Sequence, residues 1–340
     1  LFEKYNTPVD NDSAYEFLTR REAEVAETAI KEEEALTLTE KKKKEIEARK
    51  KATSKVARDA AKSTASTVGR EVGKTIGNAI GGSFGKKVGG NLVNVSVLVP
   101  SGTSPENFDP SPKQIVQLGS ADVYFTIDIP FENIFLDKLK AGKKKLVVAD
   151  CDKDVLKLRN PEHKEHEHEH EHGHHHHGEF DPHIWTDPEL IKIIARNMAD
   201  TFSSLDPGNA AAYASNLDIL NREMDDLQDE LSQKLVPYKG RIFYVYHSAY
   251  TYFAYRFGLV QKSIETGEKE PTPAKLRELV NQAEQDRVKT IFIQPEFPAS
   301  GARRVAEAIG GKTVTMSVLE YDVPANMRKT AALLAESFEE

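Results

Sequence analysis

The chain has 340 residues, a formal net charge of −8 and a single cysteine. That charge argues against nucleic-acid binding by the chain as a whole, and one cysteine allows neither an internal disulfide nor a cysteine-built zinc site. No run of about 18 apolar residues occurs, so nothing reads as a membrane-spanning helix, and the length leaves room for two or three domains.

The sequence opens on Leu1 without Met and without a charged-then-apolar leader, so a start or export signal is expected outside it. Glu16 to Lys55 is dominated by Glu, Lys, Arg and Ala, with four lysines at Lys41–Lys44, and reads as a solvated helix or a disordered arm. From Gly69 the texture changes. Gly69, Gly73, Gly77, Gly81, Gly85 and Gly89 fall at every fourth residue, beside Val72, Ile76, Ile80, Phe84, Val88 and Leu92 at the same spacing. On a helix these make a glycine stripe next to an aliphatic one, which permits close approach of a second helix. The spacing therefore predicts either a self-associating helix or a marginal one, since each glycine costs about 1 kcal/mol against alanine. Gly69 to Thr75 imitates a phosphate-binding loop but has three residues between its glycines where four are required, and no strand is predicted before it.

Val93–Val99 is a β-branched run that predicts a buried strand. A short helix over Pro112–Leu118, a strand from Ala121, a helix over Phe131–Leu139 and a strand over Lys145–Ala149 follow. Beyond them come an amphipathic helix over Pro188–Leu205 and a longer one over Pro207–Val236, with Tyr213, Leu217, Leu220, Met224, Leu227 and Leu231 on one stripe. Strand Arg241–Tyr246, helices Ala249–Phe257 and Pro273–Asp286, strand Thr290–Gln294, helix Ser300–Ile309, strand Thr313–Met316 and helix Pro324–Phe338 complete the chain. Strands alternating with helices predict an α/β fold, with parallel sheets covered on both faces. Two such lobes would be joined by the long helix, behind a helical or disordered N-terminal extension.

Between the two halves lies Glu162–Glu179, EHKEHEHEHEHGHHHHGE. It has no apolar residue to bury and reads as a solvated loop. Its histidines, His163, His166, His168, His170, His172, His174, His175, His176 and His177, interleaved with glutamates, suit weak binding of Zn, Cu or Ni. A purification tag would be terminal and uniform; this segment is neither. Directly after it, Asp181-Pro-His-Ile-Trp-Thr-Asp-Pro188 sets His183 and the only tryptophan between two Asp-Pro turns.

Parallel α/β sheets bind ligands beyond the carboxyl ends of their strands. Glu106 follows the strand from Val93, His183 follows the strand ending at Ala149 and the His-rich loop, and His247 follows Arg241–Tyr246. Taken singly, Glu106 reads equally as a surface turn acid and His247 equally as a helix-cap residue, while for His183 a structural turn residue is the lesser reading. Two imidazoles and a carboxylate together suit Zn²⁺ or a similar ion.

At these residues the sequence resembles a known family. Leu98 to Pro110, Asp181 to Pro188, Tyr246-His-Ser-Ala-Tyr-Thr-Tyr-Phe253 and Ile291-Phe-Ile-Gln-Pro-Glu-Phe297 are similar to segments of the zinc and manganese substrate-binding proteins of bacterial ABC uptake transporters. The resemblance runs from Val93 to about Glu340, and a His/Glu-rich loop in this place is usual in its zinc-specific branch. It implies high-affinity capture of Zn²⁺, or Mn²⁺, in a cleft between lobes, and delivery to an ABC permease at the membrane. It also implies a periplasmic or extracytoplasmic setting, zinc as cargo with no organic cofactor, no nucleic-acid partner for 93–340, and no enzymatic reaction. His183 and His247 match ligand positions. Glu106 stands where most members have His. Ser317 stands where the last ligand is commonly Asp, so water, a loop histidine or Asp322 would complete the set.

The stretch from Lys4 to Glu16 and the glycine stripe resemble instead the C-terminal tail of bacterial HerA-like ATPases, without the motor core. The expected domains are thus a charged helical extension over 1–92 with the glycine-stripe helix, self-associating or marginal, an N-terminal lobe over 93–206, a linker helix over 207–236 and a C-terminal lobe over 237–340. The family's lobe has a strand ahead of Val93, and 1–92 holds no β-branched run, so the N-terminal lobe is expected to lack an inner strand. Two other functions compete with metal capture. One is an assembly tail of a HerA-like ATPase joined to a metal-binding fragment; the other is a zinc hydrolase, which would need an open metal position and a general base.

Overall fold

The structure, a computed structural model, describes residues 72–77, 79–100, 103–105, 108–129, 131–132, 136, 146–159, 180–265 and 270–340. The charged arm, Glu106, most of the helix expected over Phe131–Leu139 and the His-rich segment 162–179 lie outside the described residues. Glu71–Pro110 with Gln117–Glu340 form one compact unit. Of the other unit, Leu1–Arg70 with Ser111–Val116, the described part is Ser111–Val116.

The first sheet is built from β1 (Val72–Gly77), β2 (Val93–Val97), β3 (Val123–Thr126) and β4 (Val147–Asp150), in the order β2-β1-β3-β4 and parallel throughout. This corrects the expectation of a missing inner strand. β1 pairs Thr75 with Val95 and Gly77 with Val97 on one side, and Thr75 with Val123 and Gly77 with Phe125 on the other. What an inner strand must supply is a backbone ladder on both edges. VGKTIG supplies it despite its two glycines, and the register shifts between Val72 and Thr75, around Gly73. A glycine within a strand is where such an irregularity is tolerated.

The glycine stripe is accordingly divided between two elements. Its first half is β1, and its second half is α1 (Ala79–Gly89). A Cβ on Gly89 would lie 2.1 Å from Val93 Cγ2, and one on Gly82 would lie 2.5 Å from Val97 Cγ2. The small residues thus let α1 lie close on β2 of its own lobe, which covers the face expected to self-associate. Phe84 and Val88 are fully buried. At the end of α1, Gly90 takes φ +59°, and Asn216 Nδ2 donates to the carbonyl of Val88 at 2.9 Å, capping an otherwise open helix end.

A short helix, α2 (Pro112–Leu118), precedes β3. After β4 come α3 (Pro188–Leu205) and α4 (Ala210–Leu235). Asp187 caps α3 by accepting the Glu189 amide, with Pro188 at its first position. α3 buries Ile191, Ile194, Met198 and Phe202, and Phe202 packs edge-on against Phe125 with ring centres 5.2 Å apart. α4 buries Tyr213, Leu220, Met224, Leu227, Leu231 and Leu235, the expected stripe with Leu217 half-buried. A single turn of tighter helix at Pro207–Asn209 starts the connector, so the α-helix begins later than the sequence predicts.

The second sheet holds β5 (Ile242–Val245), β6 (Val260–Ser263), β7 (Thr290–Ile293) and β8 (Lys312–Thr315), in the order β6-β5-β7-β8, again parallel. Its helices are α5 (Thr251–Phe257), α6 (Pro273–Gln285), α7 (Ser300–Ala308) and α8 (Val323–Phe338). Tyr244, Ile264, Leu279, Ile291, Ala302 and Val305 form the centre of its core. β6, absent from the sequence reading, is an edge strand with one β-branched residue, VQKS, and so carries little pattern. Among the described residues no helix is long and apolar enough to cross a membrane.

Candidate metal centre

His247 follows β5 at the carboxyl end of the second sheet. Its backbone is held at both polar atoms by one side chain: its N–H donates to Gln294 Oε1 at 3.1 Å, and its carbonyl accepts from Gln294 Nε2 at 2.8 Å. The ring stacks on Phe297, with centres 4.2 Å apart and planes 19° apart. Its Nδ1 donates to Glu265, a carboxylate buried beside it. A histidine whose Nδ1 proton is given to a carboxylate presents its Nε2 lone pair on the opposite side of the ring.

His183 is built on the same plan from a different part of the chain. It starts a single turn of tighter helix, Ile184–Thr186, and is 3% exposed. Its backbone N–H donates to Asp181 Oδ1 at 2.8 Å, and its ring Nδ1 meets the same oxygen at 2.7 Å. Burial pushes the Asp181 carboxyl up. The neighbouring His183 ring, the Thr251 hydroxyl and the His183 amide push it down and prevail, so its pKa is lowered. The two imidazole rings lie 5.2 Å apart at an angle of 70°. A carboxylate behind each imidazole is the arrangement that fixes ring orientation and raises the basicity of a metal-binding histidine.

The structure thus brings together two of the three residues expected to form an ordered site, His183 and His247. Glu106 and the nine loop histidines lie outside the described residues, and among the described residues no three His, Cys, Asp or Glu side chains converge on one point. Ser317 is buried, with its hydroxyl accepting the Leu319 amide at 3.2 Å and its carbonyl accepting Asn326. The Asp322 carboxylate caps α8 by accepting the Ala325 amide at 3.0 Å. One further acid, Glu296, feels the charge of His247. Burial and the charge of Glu320 raise the Glu296 carboxyl, while His247 lowers it, the net shift being upward. Sequence reasoning missed Asp181 and Glu265 in their role behind the rings. Asp181 lies inside the Asp-Pro-His motif, where a signal was present, whereas Glu265 lies in Ser263-Ile-Glu-Thr-Gly267, which carries none.

The chain resembles known proteins along most of its length. "Zinc-binding protein AdcA" of Streptococcus pyogenes is 29% identical over 242 residues, covering 68% of this chain and 47% of AdcA. "High-affinity zinc uptake system protein ZnuA" of Brucella abortus is 33% identical over 144 residues, 42% of this chain and 43% of that protein. The chain spans about half the length of the curated relatives it matches. A crystal structure of ZnuA superposes with a TM-score of 0.73 at 31% identity, covering 79% of this chain and 99% of that one. A ZnuA deletion mutant crystallised with zinc superposes at 0.70 with 30% identity, covering 79% and 98%. Residues 1–88 match a second family, the C-terminal region of HerA-like helicases. Residues 76–336 match the zinc-uptake complex component A family, described as periplasmic, and since that match takes in both sheets except the first part of β1, the chain belongs to this family.

Proposed function

We propose that this chain captures Zn²⁺ between His183 and His247 and delivers it to an ABC permease outside the cytoplasm. The observation that carries the reading is the pair of buried imidazoles, 5.2 Å apart, each with Nδ1 on its own buried carboxylate. Two imidazoles on one tetrahedral zinc, with Zn–N of about 2.0–2.1 Å, place their ring centres roughly 5 Å apart. A separation of this size supports the reading. Glu106, after β2, would supply an N-terminal ligand, and Glu296 is the acid already coupled to the charge of His247. The loop histidines would collect further zinc weakly. The family is one of transport components rather than of enzymes. The domain plan that goes with this reading places the N-terminal lobe from β1 rather than from Val93.

Calorimetric titration of purified chain with Zn²⁺ tests it. His183→Ala or His247→Ala is expected to weaken the tight site by at least about 100-fold, and Glu265→Gln by about 10–100-fold, the range for a residue that orients a ligand. Deleting 162–179 is expected to remove weak equivalents only. Because imidazole binds metal only when neutral and its ordinary pKa is ~6.5, affinity is expected to fall from about pH 7 to about pH 5. A tight site that survives both histidine substitutions overturns the reading.

A further inference from the structure

His183 and His247 come from different parts of the fold, yet the short helix that follows His247 in the chain holds both ends of the turn that presents His183. α5 begins four residues after His247. From it, Tyr252 Oη donates to the carbonyl of Asp181 at 2.8 Å and accepts the Leu158 amide at 3.1 Å. One turn later, Arg256 lays its guanidinium across the carboxylate of Asp187, with Nε 2.9 Å and 3.0 Å from the two oxygens and the terminal nitrogen at 2.9 Å. Asp181 and Asp187 are the two ends of the turn that presents His183. Between them, Trp185 donates its indole N–H to the carbonyl of Val318 at 2.9 Å, a further tie to the chain after β8.

We propose that Tyr252 and Arg256 are positioning residues for zinc. They carry the His183 turn on the helix that follows His247, so the spacing of the two imidazoles is set before the ion arrives. This rests on the reading of His183 and His247 as zinc ligands. Neither residue touches the ion. Tyr252 acts through Asp181, the acceptor behind the His183 ring, and Arg256 acts through Asp187, which is 2% exposed. An ion bound to a pair held in this way leaves slowly, because neither imidazole can swing off while its support stays put. Loosening the support gives each imidazole an independent exit, so the release rate rises while capture, governed by encounter, is unchanged.

The test uses the full chain and Zn²⁺ alone, with stopped-flow measurement of association and of release into excess chelator, alongside metal-free melting. Tyr252→Phe keeps the ring and loses the hydroxyl. It is expected to raise the release rate about tenfold, the lower end of the range for groups that orient a metal ligand, with the association rate unchanged. Arg256→Lys keeps the charge beside Asp187, loses the two-pronged contact, and carries the test if Tyr252→Phe does not fold. Tyr255→Phe, on the exposed side of the same helix, is the control and is expected to change nothing. A purely structural contact would lower the melting midpoint of the metal-free chain and leave the release rate alone, and that result overturns the positioning role. Cobalt substitution gives an independent readout: the visible spectrum of Co²⁺ is expected to change in Tyr252→Phe, and an unchanged spectrum with unchanged release counts against the proposal. Zinc binding that persists in the His183→Ala, His247→Ala double variant overturns the metal reading itself, and this inference with it.

Discussion

The two sheets have the same strand order, second-first-third-fourth, yet their first strands are very different material. β5 is IFYV, with Phe243, Tyr244 and Val245 fully buried, and it delivers His247 at its end. β1 is VGKTIG, and its last two residues, Ile76 and Gly77, open the stretch where the zinc-uptake and HerA-like matches overlap, residues 76–88. The difference separates two demands on an inner strand of a parallel sheet. Backbone pairing on both edges is obligatory, because an open slot leaves donors and acceptors unmatched on two neighbours. A β-branched, aromatic sequence adds packing but is not required. A segment that pairs well enough can stand in the first position of the N-terminal lobe, and α1 then closes onto β2 because its glycines permit it.

The strongest challenge to this comparison is truncation. Removing residues 1–92, the boundary suggested by β-branched content, also removes β1 and α1, and is expected to unfold the N-terminal lobe. Removing 1–71 is expected to leave it folded. Hydrogen exchange reads both: in the intact chain and after the shorter cut, Val93–Val97 is expected to be as protected as Ile242–Val245. Fast exchange of Val93–Val97 in the intact chain would mean that β1 does not fill the slot.

A smaller effect distinguishes the lobes by pH. Glu132, after β3, is almost wholly buried, and its carboxyl is raised from 4.5 to about 7. Burial is the main cause, opposed by hydrogen bonds from Tyr124 Oη and the amides of Ile129 and Ile127. A carboxyl whose folded pKa lies above its unfolded one contributes stability that is fully present below the unfolded value. That contribution is lost as pH rises through the folded value. The N-terminal lobe is therefore expected to lose up to roughly 3 kcal/mol between about pH 4.5 and 7, at about 1.4 kcal/mol per unit. Denaturant melts of Glu132→Gln against the parent chain check this, and an equal slope in both would remove Glu132 as the cause.

The finest test concerns α1. Gly89→Ala drives a methyl into Val93 and is expected to destabilise by about 1–3 kcal/mol, as overpacking does. Gly85→Ala meets Val95 at 3.8 Å, an ordinary contact, and is expected to stabilise by about 0.5–1 kcal/mol through helix propensity alone. If instead the glycine face packs on a partner chain, both changes alter the sedimentation coefficient, and the opposite signs in the melts disappear.

Much of the fold was legible because parallel sheets and amphipathic helices leave strong period signals. Pro188–Leu205 is found at its expected bounds, and α4 buries the predicted stripe. Legibility failed where backbone pairing, rather than side-chain pattern, decides the element. β1 has too many glycines to look like a strand, and β6 is too polar. The two imidazoles were legible as candidates, because histidines in ordered turns and after strand ends stand out. The carboxylates behind them were not, since Glu265 reaches His247 across 18 positions of sequence and no spacing rule links the two. Tyr252 and Arg256 sit within a motif whose histidine draws the eye, and only their partners, 71 and 69 positions away, reveal what they hold.

Trp185 has a practical consequence. It is the chain's sole tryptophan, fully buried, its ring centre 5.1 Å from that of His183, its indole N–H bound to a carbonyl from the far end of the sequence. All indole emission therefore originates beside one imidazole. On the proposed reading a divalent ion on that ring would sit beside the indole, so zinc loading is expected to change its emission. The protein comes with its own fluorophore at the position where an experimenter would otherwise have to attach a dye, and loading, acidification and unfolding can each be followed in unlabelled material.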